Sequence, residues 1–194
     1  MSTINLSNSL NHTTGIAFSP TQTQYFVADY TSNAGGPDLF RFTTAGTATQ
    51  ASTEVTAYGG YPLAVGNGIL YRGNPSASYD WSTVNKIRVS SVTTPDTITA
   101  TLQPGIGGIE DMAWDGFALW ALGYTTDSST ATAINLYRIN AATGAVLASY
   151  LNVANSGAGR RAAGVEFLNN KLYIFNWSSG GTSTLLPLTL NGCQ

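Results

Sequence analysis

The chain has 194 residues, long enough for one domain with a sizeable core, and only 9% of them are charged. Eight basic and ten acidic side chains give a net charge of −2 without a run of either sign, which argues against nucleic acid as a partner. The apolar runs are too short to cross a bilayer, so we predict no membrane contact.

The N-terminal residues 1–15 have neither the basic region nor the apolar region of a secretory signal. We therefore expect synthesis in the cytoplasm without a signal peptide. Cys193 is the only cysteine, so no disulfide framework and no thiolate metal cluster is expected.

Four short segments share one pattern, in which two apolar residues flank a middle residue and a turn and an aromatic-rich strand follow. They are residues 16–18 (IAF), 63–65 (LAV), 112–114 (MAW) and 165–167 (VEF). We refer to these segments as the triplets. Asn67-Gly68 and Asp115-Gly116 are strong hairpin signals, so each triplet predicts the first strand of an antiparallel hairpin.

The second strands begin near residues 25, 70, 119 and 172, which is a repeat of roughly 45 to 53 residues. Repeats of this length made only of strands and turns are typical of β-propeller blades. We predict an all-β, four-bladed propeller of four-stranded antiparallel blades in a single domain, residues 1–194. The predicted blades cover about 14–57, 58–106, 107–152 and 161–194.

The last repeat has no fourth strand, whereas residues 2–8 alternate apolar and polar side chains ahead of the first triplet. We predict that this N-terminal strand pairs with the last blade and closes the ring. Ala17, Ala64 and Ala113 occupy the middle of three triplets and suit a crowded axis, while Glu166 departs from them. The alternative is that two chains pair, each supplying half of an eight-bladed ring.

The stretch NLYRINAATGAVL at residues 135–147 resembles the strand, turn and strand of quinoprotein-like and NHL-type propeller repeats. The resemblance covers the whole chain through its four copies and implies the fold. It leaves the function open, because propellers serve as scaffolds, lectins, hydrolases and lyases. Arg41, Arg88 and Arg138 recur at one position of the third strands, and we predict a structural role in which their stems cover apolar surface between blades and their heads bond turn carbonyls.

Two loops on the predicted ligand-binding face carry candidate binding residues. Tyr79, Asp80 and Trp81 combine two aromatic rings with a carboxylate, which suits a sugar ring or a protein partner, although the loop also suits packing on its own blade. Arg160 and Arg161 follow a glycine-rich turn that either cradles an anion or is a flexible connector.

A ring of aromatic residues is predicted where the second strands end, formed by Tyr30, Tyr124 and Trp177. Groups for catalysis are few, because His12 is the only histidine. Glu110 and Asp111 are adjacent, so we expect them on opposite faces of a strand. Glu166 and Glu110 would either hold a channel cation or bond to backbone or arginine groups. No catalytic residue, metal site or cofactor is predicted.

The uncharged surface rich in Ser, Thr, Gly and Asn is typical of a protein that faces the outside. From it we predict a non-enzymatic binding module, a bacteriophage capsid-decoration or tail propeller located on the virion or an extracellular surface, with other protein subunits as partners. The alternatives are a lectin-like propeller that binds surface glycans and a propeller hydrolase or lyase.

Overall fold

A computed structural model describes residues 13–29, 39–52, 62–73, 83–88, 91–99, 106–125, 134–154, 160–178 and 184–188. These residues form fifteen β-strands and no helix, and hence no apolar helix long enough to cross a membrane occurs among them. The pairings between neighbouring strands in the described part of the chain are antiparallel. The prediction of an all-β, antiparallel protein is therefore confirmed.

The chain divides into two compact units, Met1–Ile98 and Thr99–Gln194. The first unit contains two four-stranded sheets in which the strands lie in chain order. Sheet 1 consists of β1 (Thr13–Ser19), β2 (Gln24–Asp29), β3 (Leu39–Thr43) and β4 (Ala48–Ser52). Sheet 2 consists of β5 (Leu63–Gly66), β6 (Ile69–Gly73), β7 (Thr83–Arg88) and β8 (Ser91–Thr99).

The second unit repeats this arrangement with one strand fewer among the described residues. Sheet 3 consists of β9 (Ile106–Trp114), β10 (Leu119–Thr125), β11 (Ile134–Ile139) and β12 (Val146–Ala154). Sheet 4 consists of β13 (Arg160–Leu168), β14 (Lys171–Ser178) and β15 (Thr184–Leu188).

Tight turns join the first two strands of the sheets where the sequence predicts hairpins. Asn67 and Gly68 both have positive φ angles, of 51° and 73°, and Asn169 and Asn170 have φ angles of 51° and 58°. Two successive positive φ angles are the geometry of the turn that matches the twist of a hairpin, and Asn and Gly adopt it at least cost.

The two sheets of the first unit bury apolar residues between them, and β1 packs against β5. The cluster consists of Phe26, Ala28 and Leu39 of sheet 1 with Leu63 and Leu70 of sheet 2, and Ala17 and Val65 pack against it. Side chains alternate along a strand, so β2 directs Phe26 and Ala28 to this cluster and Tyr25 and Val27 to the opposite face. Alanine at position 17 leaves room for the neighbouring sheet.

In the second unit the same positions form the core, and β9 packs against β13. Ala113, Trp120, Leu122 and Leu136 of sheet 3 meet Val165, Leu172 and Ile174 of sheet 4, with Tyr150, Val153, Phe167 and Leu188 at the margin. The first strands of adjacent sheets are thus side by side in both units, and this contact positions the candidate site.

Ring closure is not confirmed by these sheets. The predicted N-terminal strand, residues 2–8, lies outside the described residues. The four-bladed ring and the single domain therefore stay predictions.

Candidate functional site

The first strand of three sheets contains a β-bulge at the same repeat position. The register shifts between Thr13 and Gly15 in β1, between Asp111 and Ile109 in β9, and between Ala162 and Gly164 in β13. The extra residues are Thr14, Glu110 and Ala163. Each lies two residues before its triplet. Bulges re-aim the side chains beside them and are common next to active sites.

Asp111 is the residue that departs from the repeat beside these bulges. The residue immediately before the triplet is Gly15 in sheet 1, Pro62 in sheet 2 and Gly164 in sheet 4, none of which has a polar side chain. In sheet 3 this position holds the carboxylate of Asp111.

The carboxylate of Asp111 reaches from β9 to β13. Its Oδ2 accepts a hydrogen bond from the backbone N–H of Val165 at 2.8 Å. Gly164 lies beside this contact, and a Cβ atom at position 164 would be in ordinary van der Waals contact with Oδ2 of Asp111 at 3.4 Å and with Cβ of Phe175 at 3.5 Å.

The protonation of Asp111 is poised near neutrality. Loss of solvent around the partly buried carboxyl group raises the pKa of Asp111 from its ordinary 3.8 to about 7. Hydrogen bonds from the N–H groups of Val165 and Met112 oppose the rise, and the charges of Glu166 and Glu110 add to it. Asp111 therefore exchanges a proton in the pH range in which general acids and bases work best.

Glu166 lies one residue beyond Val165 on β13 and is exposed. Its Oε1 accepts a hydrogen bond from the N–H of Phe167 at 3.0 Å, in agreement with the alternative that this carboxylate bonds to backbone. Desolvation raises the pKa of Glu166, and the bond to Phe167 opposes that rise. The charge of Glu166 on β13 thus contributes to the raised pKa of Asp111 on β9.

The sequence-based placement of Glu110 and Asp111 on opposite faces of a regular strand is wrong in one respect. Glu110 is the extra residue of the β9 bulge, so regular alternation is interrupted there, and its charge contributes to the raised pKa of Asp111. In the described part of the chain, no group of three or more His, Cys, Asp or Glu side chains is arranged to hold a metal ion. The chemistry this carboxylate group offers directly is proton transfer.

A second polar cluster surrounds Asp115 at the turn between β9 and β10. Oδ1 of Asp115 accepts hydrogen bonds from the N–H groups of Phe117 (2.8 Å) and Ala118 (2.7 Å). Its Oδ2 accepts from Nε1 of Trp120 at 2.8 Å and from Nε of Arg138 at 3.1 Å. All four donors are satisfied by one carboxylate.

The electrostatics of Asp115 fit a structural group. Desolvation acts to raise its pKa, but the hydrogen bonds and the charge of Arg138 outweigh that effect, so the pKa lies below its ordinary value. The guanidinium of Arg138 also lies 5.8 Å from the ring centroid of Trp120. The predicted bond from the head of Arg138 to turn carbonyls is corrected, because the partner of its guanidinium is the carboxylate of the turn residue Asp115.

The structure describes only some of the predicted binding residues. Tyr30, Tyr79, Asp80 and Trp81 lie outside the described residues. Tyr124 and Trp177 lie near the ends of β10 and β14, where Tyr124 pairs with Gly108 and Trp177 with Arg161.

Arg160 and Arg161 belong to a strand. They begin β13 and pair with Ser178 and Trp177 of β14. The expectation that both arginines lie in a glycine-rich loop or connector is therefore wrong.

Asp111 was missed as a candidate by the sequence argument, although a signal was present. Alignment of the triplets extended by one residue to the N-terminal side shows glycine, proline and glycine at the positions where sheet 3 has Asp111. Its neighbour across the sheets, Glu166, is the matching departure in the middle of the triplets. The residues that differ between copies of the repeat were therefore the ones that pointed to the candidate site.

Comparison with known proteins places this geometry in a fold class. The chain matches no protein-family model and no curated protein sequence. It is similar to the crystal structure of Myxococcus xanthus glutaminyl cyclase, with a TM-score of 0.52 and 15% identity over 90% of this chain and 73% of that chain. It is also similar to Kuenenia stuttgartiensis hydrazine synthase, with a TM-score of 0.54 and 15% identity over 91% of this chain and 54% of that chain.

The prediction of a non-enzymatic module is corrected by these similarities, because both solved structures are enzymes. The small number of acid and base residues was a poor reason to exclude catalysis, since one carboxylate with a suitable pKa suffices for proton transfer. At 15% identity the likeness shows the fold alone. The chain has a β-propeller-like fold built of antiparallel sheets.

Proposed function

We propose that this chain is an acid–base enzyme of the hydrolase or lyase class and that Asp111 carries the transferred proton. The observation that supports the proposal is the placement of Asp111 beside the bulge of β9, in hydrogen-bond contact with β13, where its pKa is raised to about 7. A carboxyl group with this pKa is protonated in a large fraction of molecules near neutral pH and can act as a general acid.

Glu166 is the second member of the proposed pair. It is exposed, its charge adds to the raised pKa of Asp111, and its ordinary repeat counterpart is alanine. Two carboxyl groups in different environments can take different catalytic roles, because the more desolvated one holds the proton while the other stays charged. In this scheme Asp111 donates a proton to the leaving group as its bond to the substrate breaks. The Glu166 carboxylate accepts a proton, either from the water molecule that bonds to the substrate in hydrolysis or from the adjacent carbon whose electron pair forms the new double bond in elimination.

The experiment is an activity screen with uncharged esters, amides and glycosides that release a coloured leaving group, together with substrates that eliminate to a conjugated product. Product analysis in isotopically labelled water separates the two classes, since only hydrolysis incorporates the label. With Asp111 as the acid, kcat should fall as the pH rises through about 7.

Two variants test the roles. Asp111→Asn keeps an oxygen that can accept from Val165 and should lower kcat by roughly 10²- to 10⁴-fold, whereas Glu166→Gln should lower it less. Lys171→Gln, a charge change at an exposed position of β14, is the control. A substrate turned over equally fast by wild type and Asp111→Asn would refute the proposed role.

The predicted binding of surface glycans and the predicted virion location stay predictions. Tyr79, Asp80 and Trp81, which motivated the glycan prediction, lie outside the described residues. No contact in the described part of the chain favours either of them over acid–base catalysis.

A further inference from the structure

The first hairpin of sheet 2 has a turn of two residues with a chemically reactive sequence. Gly66 pairs with Ile69, so only Asn67 and Gly68 form the turn. In an Asn-Gly sequence the backbone nitrogen of the glycine can attack the side-chain carbonyl carbon of the asparagine, and the glycine has no side chain that hinders the attack. Asparagine is for this reason one of the thermolabile residues of proteins.

The reaction is a deamidation that proceeds through a succinimide ring. The backbone N–H of Gly68 loses its proton, its nitrogen forms a bond to Cγ of Asn67, and the bond from Cγ to the side-chain nitrogen breaks, so that ammonia leaves. Water then opens the ring at either carbonyl group. One product is aspartate. The other is isoaspartate, in which the main chain runs through the former side chain and is longer by a methylene group.

The folded turn holds Asn67 in a conformation that opposes ring closure. Its φ of 51° lies in the left-handed region, where ψ is about +47°. For an L residue this ψ turns Cβ to the side of the Cα–C bond opposite the nitrogen of Gly68, whereas ring closure requires both atoms on the same side. Asn67 is exposed, so the backbone conformation of the turn, rather than burial, is the barrier to the reaction.

We infer that Asn67 is a deamidation site controlled by the hairpin of β5 and β6, and that it reacts when this hairpin opens. Opening releases the backbone dihedral angles of Asn67, and the ring can then close. The hairpin therefore converts a transient opening of sheet 2 into a covalent change. The inference concerns a different sheet from the proposed acid Asp111 and is tested without measuring turnover.

Isoaspartate would make the opening irreversible. A two-residue turn fixes the register of a hairpin. In sheet 2 this register directs Leu63 and Leu70 to the cluster that joins sheets 1 and 2, where they are 3% and 0% exposed. A longer main chain at position 67 is incompatible with that turn, so the modified hairpin loses this packing. The aspartate product is tolerated, because aspartate also adopts positive φ.

Peptide mapping by mass spectrometry tests this control. The full chain is incubated at mildly alkaline pH, either folded or in urea, and isoaspartate is identified by enzymatic methylation. A second Asn-Gly sequence, Asn191-Gly192, lies outside the described residues and calibrates the chemistry in urea. In urea the two sites should react at similar rates. In the folded protein Asn67 should react at least about tenfold more slowly than in urea.

The matched turn of sheet 4 separates the reactivity of the sequence from the conformation. Asn169 and Asn170 have φ angles of 51° and 58°, close to the value at Asn67, but the side chain of Asn170 hinders attack on Asn169. In urea Asn169 should therefore react much more slowly than Asn67. Equal rates at these two positions in urea would overturn the assignment of Asn67 as the reactive site.

A core variant tests whether opening of the hairpin limits the rate. Leu70→Val removes a methylene group from the cluster and leaves the turn unchanged, so the rate at Asn67 in the folded protein should rise by roughly threefold to tenfold. The rate in urea should stay the same. Leu147→Val, at a position on β12 that is 54% exposed, is the control and should leave the rate at Asn67 unchanged.

The product is tested by urea unfolding of the purified isoaspartate form beside Asn67→Asp. We expect the isoaspartate form to unfold at a lower urea concentration than wild type and Asn67→Asp to unfold as wild type does. A rate at Asn67 in the folded protein equal to that in urea, or unaffected by Leu70→Val, overturns the control by the hairpin. An isoaspartate form as stable as wild type overturns the irreversibility.

Discussion

Asp111 and Val165 join the first strands of sheets 3 and 4 through a single hydrogen bond, in which Oδ2 of Asp111 accepts from the N–H of Val165 at 2.8 Å. The acceptor is a group whose pKa is raised to about 7, so its charge changes within the ordinary working range of proteins. The contact between the two sheets is therefore coupled to pH, both in the proposed chemistry and in the stability of the fold.

The first prediction is that the free energy of unfolding falls as the pH rises from about 4 to above 7. The folded pKa of Asp111 lies above its ordinary 3.8, so the folded state binds the additional proton in this window and deprotonation favours unfolding. Glu166, whose pKa is also raised, acts in the same direction. We expect a loss of about 2 to 4 kcal/mol, measured by urea unfolding at pH 5 and pH 8.

Asp111→Asn is the control for this pH dependence. The amide cannot ionise but keeps an oxygen that can accept from Val165, so most of the difference between the two pH values should disappear. The variant should be more stable than wild type at pH 8. An Asp111→Asn protein with the full wild-type pH dependence would assign the effect to other groups.

The second prediction compares two glycines at which replacement by alanine has different physical effects. Gly164→Ala should change stability by less than about 1 kcal/mol at pH 5, because its Cβ would meet Oδ2 of Asp111 at 3.4 Å, an ordinary contact. At pH 8 the cost should be larger, since the methyl group removes water from a charged carboxylate.

Gly116 is the matched comparison. A Cβ atom there would meet nothing within 4 Å, yet its φ of +99° is strained for any L side chain. Gly116→Ala should therefore cost about 1 to 2 kcal/mol at both pH values. Thermal melts of the two variants at pH 5 and pH 8 provide the measurement, and equal pH dependence in both would argue against the contact between Gly164 and Asp111.

The third prediction concerns Asp115, which stabilises the turn and anchors Trp120 and Arg138. Asp115→Ala should cost about 3 kcal/mol, because it leaves the indole N–H and a partly buried guanidinium without their acceptor. Asp115→Asn should cost about 2 kcal/mol. Its amide oxygen can still accept from the N–H groups of the turn, but its NH2 group would face the donors of Trp120 and Arg138 and could not accept from them.

Arg138→Met distinguishes the contribution of the ion pair from that of the hydrogen bonds in the turn. It keeps the apolar stem and removes only the partner of Asp115, so a loss of about 1 kcal/mol is expected. Tryptophan fluorescence in urea follows all three variants. A loss for Arg138→Met as large as that for Asp115→Ala would show that the turn contributes little.

Much of the fold was predictable because it depends on short-range patterns that repeat. Asn67-Gly68 and the alternation of Phe26 and Ala28 specify a hairpin and a buried face from local chemistry. Side chains equivalent by repeat position, such as Leu39 and Leu136, are buried in both units. The repeat therefore predicted the antiparallel sheets correctly.

The candidate site was not predictable in the same way. Its two features, the bulge at Glu110 and the raised pKa of Asp111, come from contacts between residues that are distant in the chain. An ordinary strand alternation places Glu110 and Asp111 on opposite faces, and only the register with β10 shows the extra residue. The hydrogen bond from Val165, 54 residues away, depends on how two sheets pack.

The fourth prediction tests whether the packing between sheets 3 and 4 carries the stability of the second unit. Leu136 is 0% exposed and lies in the cluster that joins these sheets, so Leu136→Ala should cost about 2 to 5 kcal/mol of unfolding free energy. Leu147, 54% exposed on β12 of the same sheet, is the control, and Leu147→Ala should cost less than about 1 kcal/mol. Both are measured by urea unfolding at pH 5, where Asp111 is largely protonated and the charge on the site does not confound the comparison. Equal losses for the two variants would mean that the cluster is loosely packed and that the Asp111 to Val165 contact joins sheets that move independently.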